Sequence, residues 1–193
     1  GRIPKTKYSE NPTWFEGEKY QCIPSKGYTN MFKNMLKGID IRLSCNLNEW
    51  KNHKFDLTIY TGKIDEYYNF KFGELPYRSL DINFKKTNQK LANFAYNECN
   101  SCTKHTRQYD NSYLNANHKG ETIITTEYPK KYKSGDIPFY PIPWGIGPKI
   151  YSQYKKLAKL ETNVLFIGRL ATYQYLDMWM VVKQAMNKIK KIK

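Results

Sequence analysis

Asp56-Leu57-Thr58-Ile59-Tyr60-Thr61-Gly62 reads as a short apolar strand running into a turn, and its neighbours decide what kind of sheet it joins. Upstream, Met31, Phe32, Met35 and Leu36 recur at helical spacing, with Thr29 as N-cap and Gly38 as stop. Residues 39–43 then alternate like a strand. Helix, strand and strand in this order predict an α/β layer rather than an all-β domain.

Downstream the pattern changes. Residues 80–84, 91–96 and 122–126 are β-prone runs separated by Asn-, Ser- and Gly-rich turns, which predicts an antiparallel sheet. Five of the nine prolines fall between residues 128 and 148, so that stretch is expected to be extended and irregular. Pro148 marks a helix start, with Ile150, Tyr151, Tyr154, Leu157 and Ala158 on one face. Residues 164–167 form a short apolar strand, and Asp177 precedes a last amphipathic helix. Its Met178, Val181, Val182, Ala185, Met186 and Ile189 are expected inward, with lysines complementing the dipole at its end. The fold class is α/β with an inserted antiparallel β-sheet, an arrangement that builds a cleft between two lobes.

Bulk properties narrow the chemistry. With 193 residues, 40% apolar and 16% aromatic, the chain folds rather than staying disordered. No apolar run approaches the length of a membrane span and no charged-then-apolar leader opens the sequence, so a cytoplasmic protein with no membrane partner is expected. The formal charge of +15 favours an anionic partner. Richness in Lys, Asn, Tyr and Ile together also fits an AT-rich genome, in which case many lysines only solvate the surface. The basic residues are dispersed and form no nucleic-acid motif, so nucleic acid is not the expected partner. Cys99-Asn100-Ser101-Cys102, followed by His105, suggests either a zinc or redox pair or an ordinary polar loop. No second Cys/His pair completes a metal set, and no metal is expected.

Four stretches point to a family. They are Tyr20-Gln21-Cys22-Ile23-Pro24-Ser25-Lys26-Gly27-Tyr28-Thr29, Ile59 to Tyr68 continuing through Phe72 to Leu80, Thr106-Arg107 with Glu127-Tyr128-Pro129 and residues 135–141, and Gly168-Arg169-Leu170-Ala171-Thr172-Tyr173-Gln174-Tyr175-Leu176-Asp177-Met178. In this order, over nearly the whole chain, they resemble the carboxy-terminal half of UDP-galactopyranose mutases.

The resemblance implies a flavoenzyme that interconverts UDP-galactopyranose and UDP-galactofuranose through a reduced-flavin N5–sugar adduct, feeding a cell-surface polysaccharide. It implies FAD as cofactor and a partial flavin-binding, Rossmann-like layer over residues 20–66 and 131–193. Residues 67–130 would then be the substrate sheet domain, and residues 1–19 a remnant of a helical substrate domain. Arg107 resembles the arginine that neutralises the diphosphate, and with Arg169 it is the catalytic candidate; a guanidinium fork suits a departing diphosphate. Tyr20, Arg78, Tyr128 and Tyr175 match substrate-binding positions. Gly62, Arg169, Tyr175, Asp177 and Met178 match positions near the flavin, where a helix N-terminus suits its negative charge. Tyr60, Tyr67, Tyr68 and Tyr77 are expected to be packing residues.

The pattern also fails in places. Arg2-Ile3-Pro4-Lys5-Thr6 is similar to a mobile-loop R-x-P-x-R but ends in Thr6, which offers no fork. Lys63 stands where the family has proline, and Lys26 where it has glycine. No G-x-G-x-x-G follows a strand. The chain alone is therefore expected to hold FAD poorly and to be inactive without a missing amino-terminal half; the alternative is a non-catalytic or degenerate UDP-sugar-binding remnant. Apolar faces left open by that half predict homo-oligomerisation.

Overall fold

The β-prone runs at 80–84 and 122–126 fall in antiparallel strands, whereas of 91–96 only the end is strand. In a computed structural model, which describes residues 20, 22–51, 53–114 and 118–190, β2 (Tyr77–Thr87) lies antiparallel to β5 (Thr122–Lys131), from Arg78 opposite Lys131 to Thr87 opposite Thr122. With β3 (Ala95–Asn97), β4 (Arg107–Asp110) and β6 (Tyr140–Pro141) they make a five-stranded sheet of order β3-β4-β5-β2-β6. A second, two-stranded sheet pairs β1 (Thr58–Tyr60) parallel with β7 (Val164–Phe166). The fold is mixed α/β.

The chain divides into two units, Gly1–Ile41 and Arg42–Lys193. The described part of the first holds α1 (Gly27–Met35), which starts two residues before the expected Thr29 cap. Its stripe is not buried: Phe32, Met35 and Leu36 are exposed. Residues 39–43 do not form the expected strand: Ile39 N–H turns back to Leu36 O (3.0 Å), and Ile39 and Ile41 lie exposed. The R-x-P-x-T loop and the 1–19 segment lie outside the described residues.

The second unit adds short helices α2 (Leu47–Lys51), α3 (Ile64–Tyr67) and α5 (Gly168–Ala171), a 3₁₀ turn at Asn111–Leu114, and two longer helices, α4 (Gly147–Ala158) and α6 (Met178–Ile189). Its core is built from tyrosines. Ile64, Leu75, Tyr77, Tyr154 and Tyr173 form one buried cluster, and Tyr60, Tyr67, Val164 and Ala171 form another. A buried phenol hydroxyl usually finds a partner, although that of Tyr77 finds none among the described residues. Tyr154 donates to the Gly73 carbonyl (2.8 Å) and accepts from Phe72 N–H (3.0 Å), tying α4 to the 72–75 turn. Lys63 is buried as well. Its ammonium donates to the Tyr132 hydroxyl (2.9 Å) and lies over the Phe70, Tyr77 and Tyr132 rings.

Two expectations about the carboxy-terminal part change. The proline-rich stretch is not wholly irregular: β5 runs through Pro129, and β6 pairs with Tyr77 and Arg78. Pro129 is tolerated because β4 stops opposite Glu127, so no neighbour on that side asks for its missing N–H. The apolar stripe of α6 is inward only in part, with Val181 and Ala185 half-buried. Met178, Val182 and Met186 are exposed by more than half, and Trp179 with them. A helical pattern says which residues share a face, not whether anything covers it.

Candidate functional site

The Gly168–Met178 stretch builds the centre of the site. Gly168 adopts φ +90°, a conformation that suits glycine, and its N–H donates to Gln184 Oε1 of α6 at 2.7 Å. After α5, Tyr173 takes φ +48°, which is rare for an aromatic residue and is held by its surroundings. Its hydroxyl donates to the carbonyls of Pro76 (2.6 Å) and Ile142 (2.9 Å). Burial pushes this phenol up to about 12, so it remains a donor at neutral pH. The turn thus pinned sends Tyr175, two residues on, toward the sheet. Tyr175 stacks on Tyr140 of β6 with centroids 5.7 Å apart and planes 12° from parallel.

Arg169 binds this pair together. Its Nη1 donates to Phe139 O (3.0 Å), and Nη2 and Nε donate to Leu176 O (2.6 and 3.2 Å). The guanidinium lies 4.4 Å from the Tyr175 ring centroid and 5.5 Å from that of Tyr140. It therefore rivets the start of α6 to the strand that carries Tyr140. Asp177 occupies the N-cap position of α6 with extended backbone, but its carboxylate makes no capping bond. The first-turn N–H groups of Met178 and its neighbours are therefore not taken by that side chain.

The sheet register sorts the remaining candidates. Directly paired residues on neighbouring strands share a face. Tyr140 pairs with Arg78, and on the same face Arg107 pairs with Glu127 of β5 and Asn97 of β3. Arg107 Nε donates to Asn97 Oδ1 (2.6 Å) and Nη1 to the Tyr109 hydroxyl (2.7 Å). Burial opposes its charge, but the Tyr109 bond and the fields of Glu127 and Tyr140 outweigh that and favour the cation. The Tyr140 ring thus lies against Arg169 and shares a sheet face with Arg107. Arg78 is exposed, with its guanidinium 5.8 Å from the Trp144 ring centroid.

Tyr128 does not join them. It pairs with Asp81, one residue out of phase with the Arg107 pair, and so projects from the opposite face, where it meets His105 edge-on at 6.2 Å. Gly62 sits at the end of β1, and a Cβ there would lie 2.6 Å from the Tyr60 hydroxyl, so close packing alone calls for glycine. Tyr20 belongs to the first unit and is 79% exposed.

Tyr140 is the residue that motif reading missed. It lies inside the quoted 135–141 stretch, but its face follows only from a β6–β2 pairing hidden by the flanking prolines. Two concavities lie elsewhere. One of about 490 Å³ on the Tyr128 face includes Lys85, Gln108 and Thr126, and one of about 440 Å³ runs along α6 past Trp179 and Lys183. Neither of these two is lined by Arg107 or Arg169. Among the described residues no cluster of His, Cys, Asp or Glu is placed to hold a metal. No helix among them is long and apolar enough to cross a membrane.

Comparison with known proteins agrees with the four motifs. The family model described as UDP-galactopyranose mutase matches residues 1–175. A dTDP-fucopyranose mutase from Escherichia coli is 33% identical over 96% of this chain and 52% of its own length. The UDP-galactopyranose mutase of Mycoplasma genitalium is 33% identical over 90% of this chain and 48% of its own, and that of Mycoplasma pneumoniae 31% identical over 100% and 53%. The chain spans about half the length of the curated relatives it matches. It belongs to the UDP-galactopyranose mutase family.

Proposed function

We propose that this chain is the diphosphate-gripping part of a UDP-galactopyranose mutase, interconverting UDP-galactopyranose and UDP-galactofuranose together with an amino-terminal flavin-binding half. The observation that carries this is the Arg169 guanidinium packed on the stacked phenols Tyr140 and Tyr175, with Arg107 on the same face of the sheet as Tyr140. Such a group suits a leaving diphosphate, whose charge grows as the glycosidic bond breaks. Arg107 supplies the charge nearest the sheet. The Tyr140 and Tyr175 hydroxyls donate to phosphate oxygens, and Arg78 extends the positive rim. Arg169 spends its fork on the Leu176 and Phe139 carbonyls, so its work here is to hold the phenols in place while adding positive field.

The residues present fit FAD in part. The first turn of α6, with Asp177 and Met178, offers backbone donors that its N-cap carboxylate does not occupy, and a twelve-residue helix directs its dipole there. The sequence contains no phosphate-cradling G-x-G-x-x-G, so that contact would come from the other half. When bound, reduced flavin would supply the nucleophile at the anomeric carbon. This chain's share is to hold the nucleotide and return it. On this reading residues 20–66 and 131–193 contribute to the flavin-binding layer and residues 67–130 to the substrate sheet. The exposed faces of α1 and α6 are surfaces for the other half or for a second copy. A nucleotide-sugar substrate places the reaction in the cytoplasm.

The missing fingerprint favours one second reading, a remnant that binds UDP-sugar without turnover. Turnover of UDP-galactofuranose under dithionite, with and without a supplied amino-terminal half, separates the two. Conversion only with both halves supports the mutase. UDP binding without conversion in either mixture supports the remnant. A parallel arm with dTDP-fucofuranose tests the substrate suggested by the other relative's name.

A further inference from the structure

The loop joining β3 to β4 carries chemistry that the proposed mutase site does not use. Cys99 and Cys102 are both free thiols and both exposed. Asn100 between them organises the loop. Its N–H donates to Glu98 Oε1 (2.7 Å), its Oδ1 accepts from Cys102 N–H (2.9 Å), and its carbonyl accepts from Thr103 N–H (3.1 Å). These bonds fold residues 98–103 into a tight turn with one cysteine on each side of Asn100-Ser101. Glu98 N–H donates to Thr106 O (2.9 Å), closing the neck of the loop, and the next pair is Asn97–Arg107 with its side-chain bond. His105 lies in the same loop, yet the described residues present no set of three metal-ligating side chains. Two exposed thiols in one short turn, without a metal set, are suited to thiol–disulfide chemistry.

We propose that Cys99 and Cys102 form a reversible dithiol–disulfide site that tightens the hairpin holding Asn97 and Arg107. A hydroperoxide oxidises the first thiol to a sulfenic acid: the O–O bond breaks, sulfur gives up two electrons, and the peroxide leaves as an alcohol or water. The second thiol attacks that sulfur, the S–S bond forms, and the sulfenic oxygen departs as water with the remaining proton. A small ring makes this closure fast relative to a second oxidation, because few residues must be brought together. A thiol reductant restores the open form.

The test uses the chain with Cys22→Ser and Cys45→Ser, which leaves only this pair. One equivalent of hydrogen peroxide is expected to lower the mass by about 2 Da, the two hydrogens lost in closing the ring. Both thiols should become inaccessible to alkylation, and dithiothreitol should reverse the change. Amide exchange at Glu98 and Thr106 should slow several-fold in the oxidised form. Adding Cys99→Ser or Cys102→Ser should stop the reaction at a sulfenic acid. Sulfinic acid or disulfide-linked dimers in place of the intraloop bond would overturn the proposal, as would an intraloop bond with unchanged exchange at Glu98 and Thr106. None of these readouts depends on mutase turnover.

Discussion

Arg169→Lys tests whether the guanidinium is the rivet of the site. The native fork makes three bonds to two carbonyls, Phe139 O at 3.0 Å and Leu176 O at 2.6 and 3.2 Å. Lysine has one ammonium and reaches one of those carbonyls at a time. A hydrogen bond to a charged group contributes about 1.5–3 kcal/mol, and the longest of the three shares its acceptor, so little is lost with it. Water reaches this half-buried position and compensates part of the remainder, which puts the net cost at about 2 kcal/mol. For a chain of this size that corresponds to a Tm lower by roughly 4–8 °C in a thermal scan. UDP affinity should fall too, because the Tyr140–Tyr175 stack loses the group over its face. A variant melting within about 1 °C of wild type would show that the three bonds do not hold the turn.

Gly62→Ala should lower stability by about 1–3 kcal/mol without any flavin present, because the added Cβ collides with the Tyr60 hydroxyl that donates to Lys63 O; an unchanged denaturation midpoint would mean that the glycine matters only to a cofactor. Asp110 is fully buried and accepts from Ser112 N–H and Oγ, Thr122 Oγ1 and Leu91 N–H. Burial raises its carboxyl, but those four donors outweigh it and hold the group far below its ordinary value. The unfolded chain then takes up the proton first, so this stabilisation is complete above about pH 5 and drains away as the pH falls further. Asp110→Asn should be less stable at neutral pH, since its amide turns a donor toward a donor, and its stability should decline less steeply between about pH 5 and pH 2. Equal slopes in urea titrations across that range would remove the carboxylate from the explanation.

How far the sequence could be read depends on which contacts a pattern records. The β2–β5 pair was legible because β-prone runs at 80–84 and 122–126 lie in its two strands, with turn-rich segments between them. The antiparallel sheet therefore appeared in the right place, although β5 ran further than its prolines suggested. β6 was not legible: two residues, one of them Pro141, carry no periodicity, and only Tyr77 and Arg78 across from them define the strand. That gap hid the sheet face on which Tyr140 lies. Motif matching selected Tyr128, which the register puts on the face opposite Arg107, whereas Tyr140 shares the face of Arg107. The tyrosine core was legible from its crowding in the 60–77 stretch. The outward faces of α1 and α6 were not, since amphipathicity specifies a seam without naming its partner.

The face assignment is tested most directly by measuring UDP affinity for Tyr140→Phe and Tyr128→Phe side by side, by calorimetry, with the amino-terminal half supplied to both. Removing a hydroxyl that donates to a charged phosphate is worth about 1.5–3 kcal/mol, so Tyr140→Phe should bind roughly ten- to a hundred-fold more weakly. Tyr128→Phe should bind like wild type. The reverse ranking would contradict the assignment and put the diphosphate on the other face of the sheet.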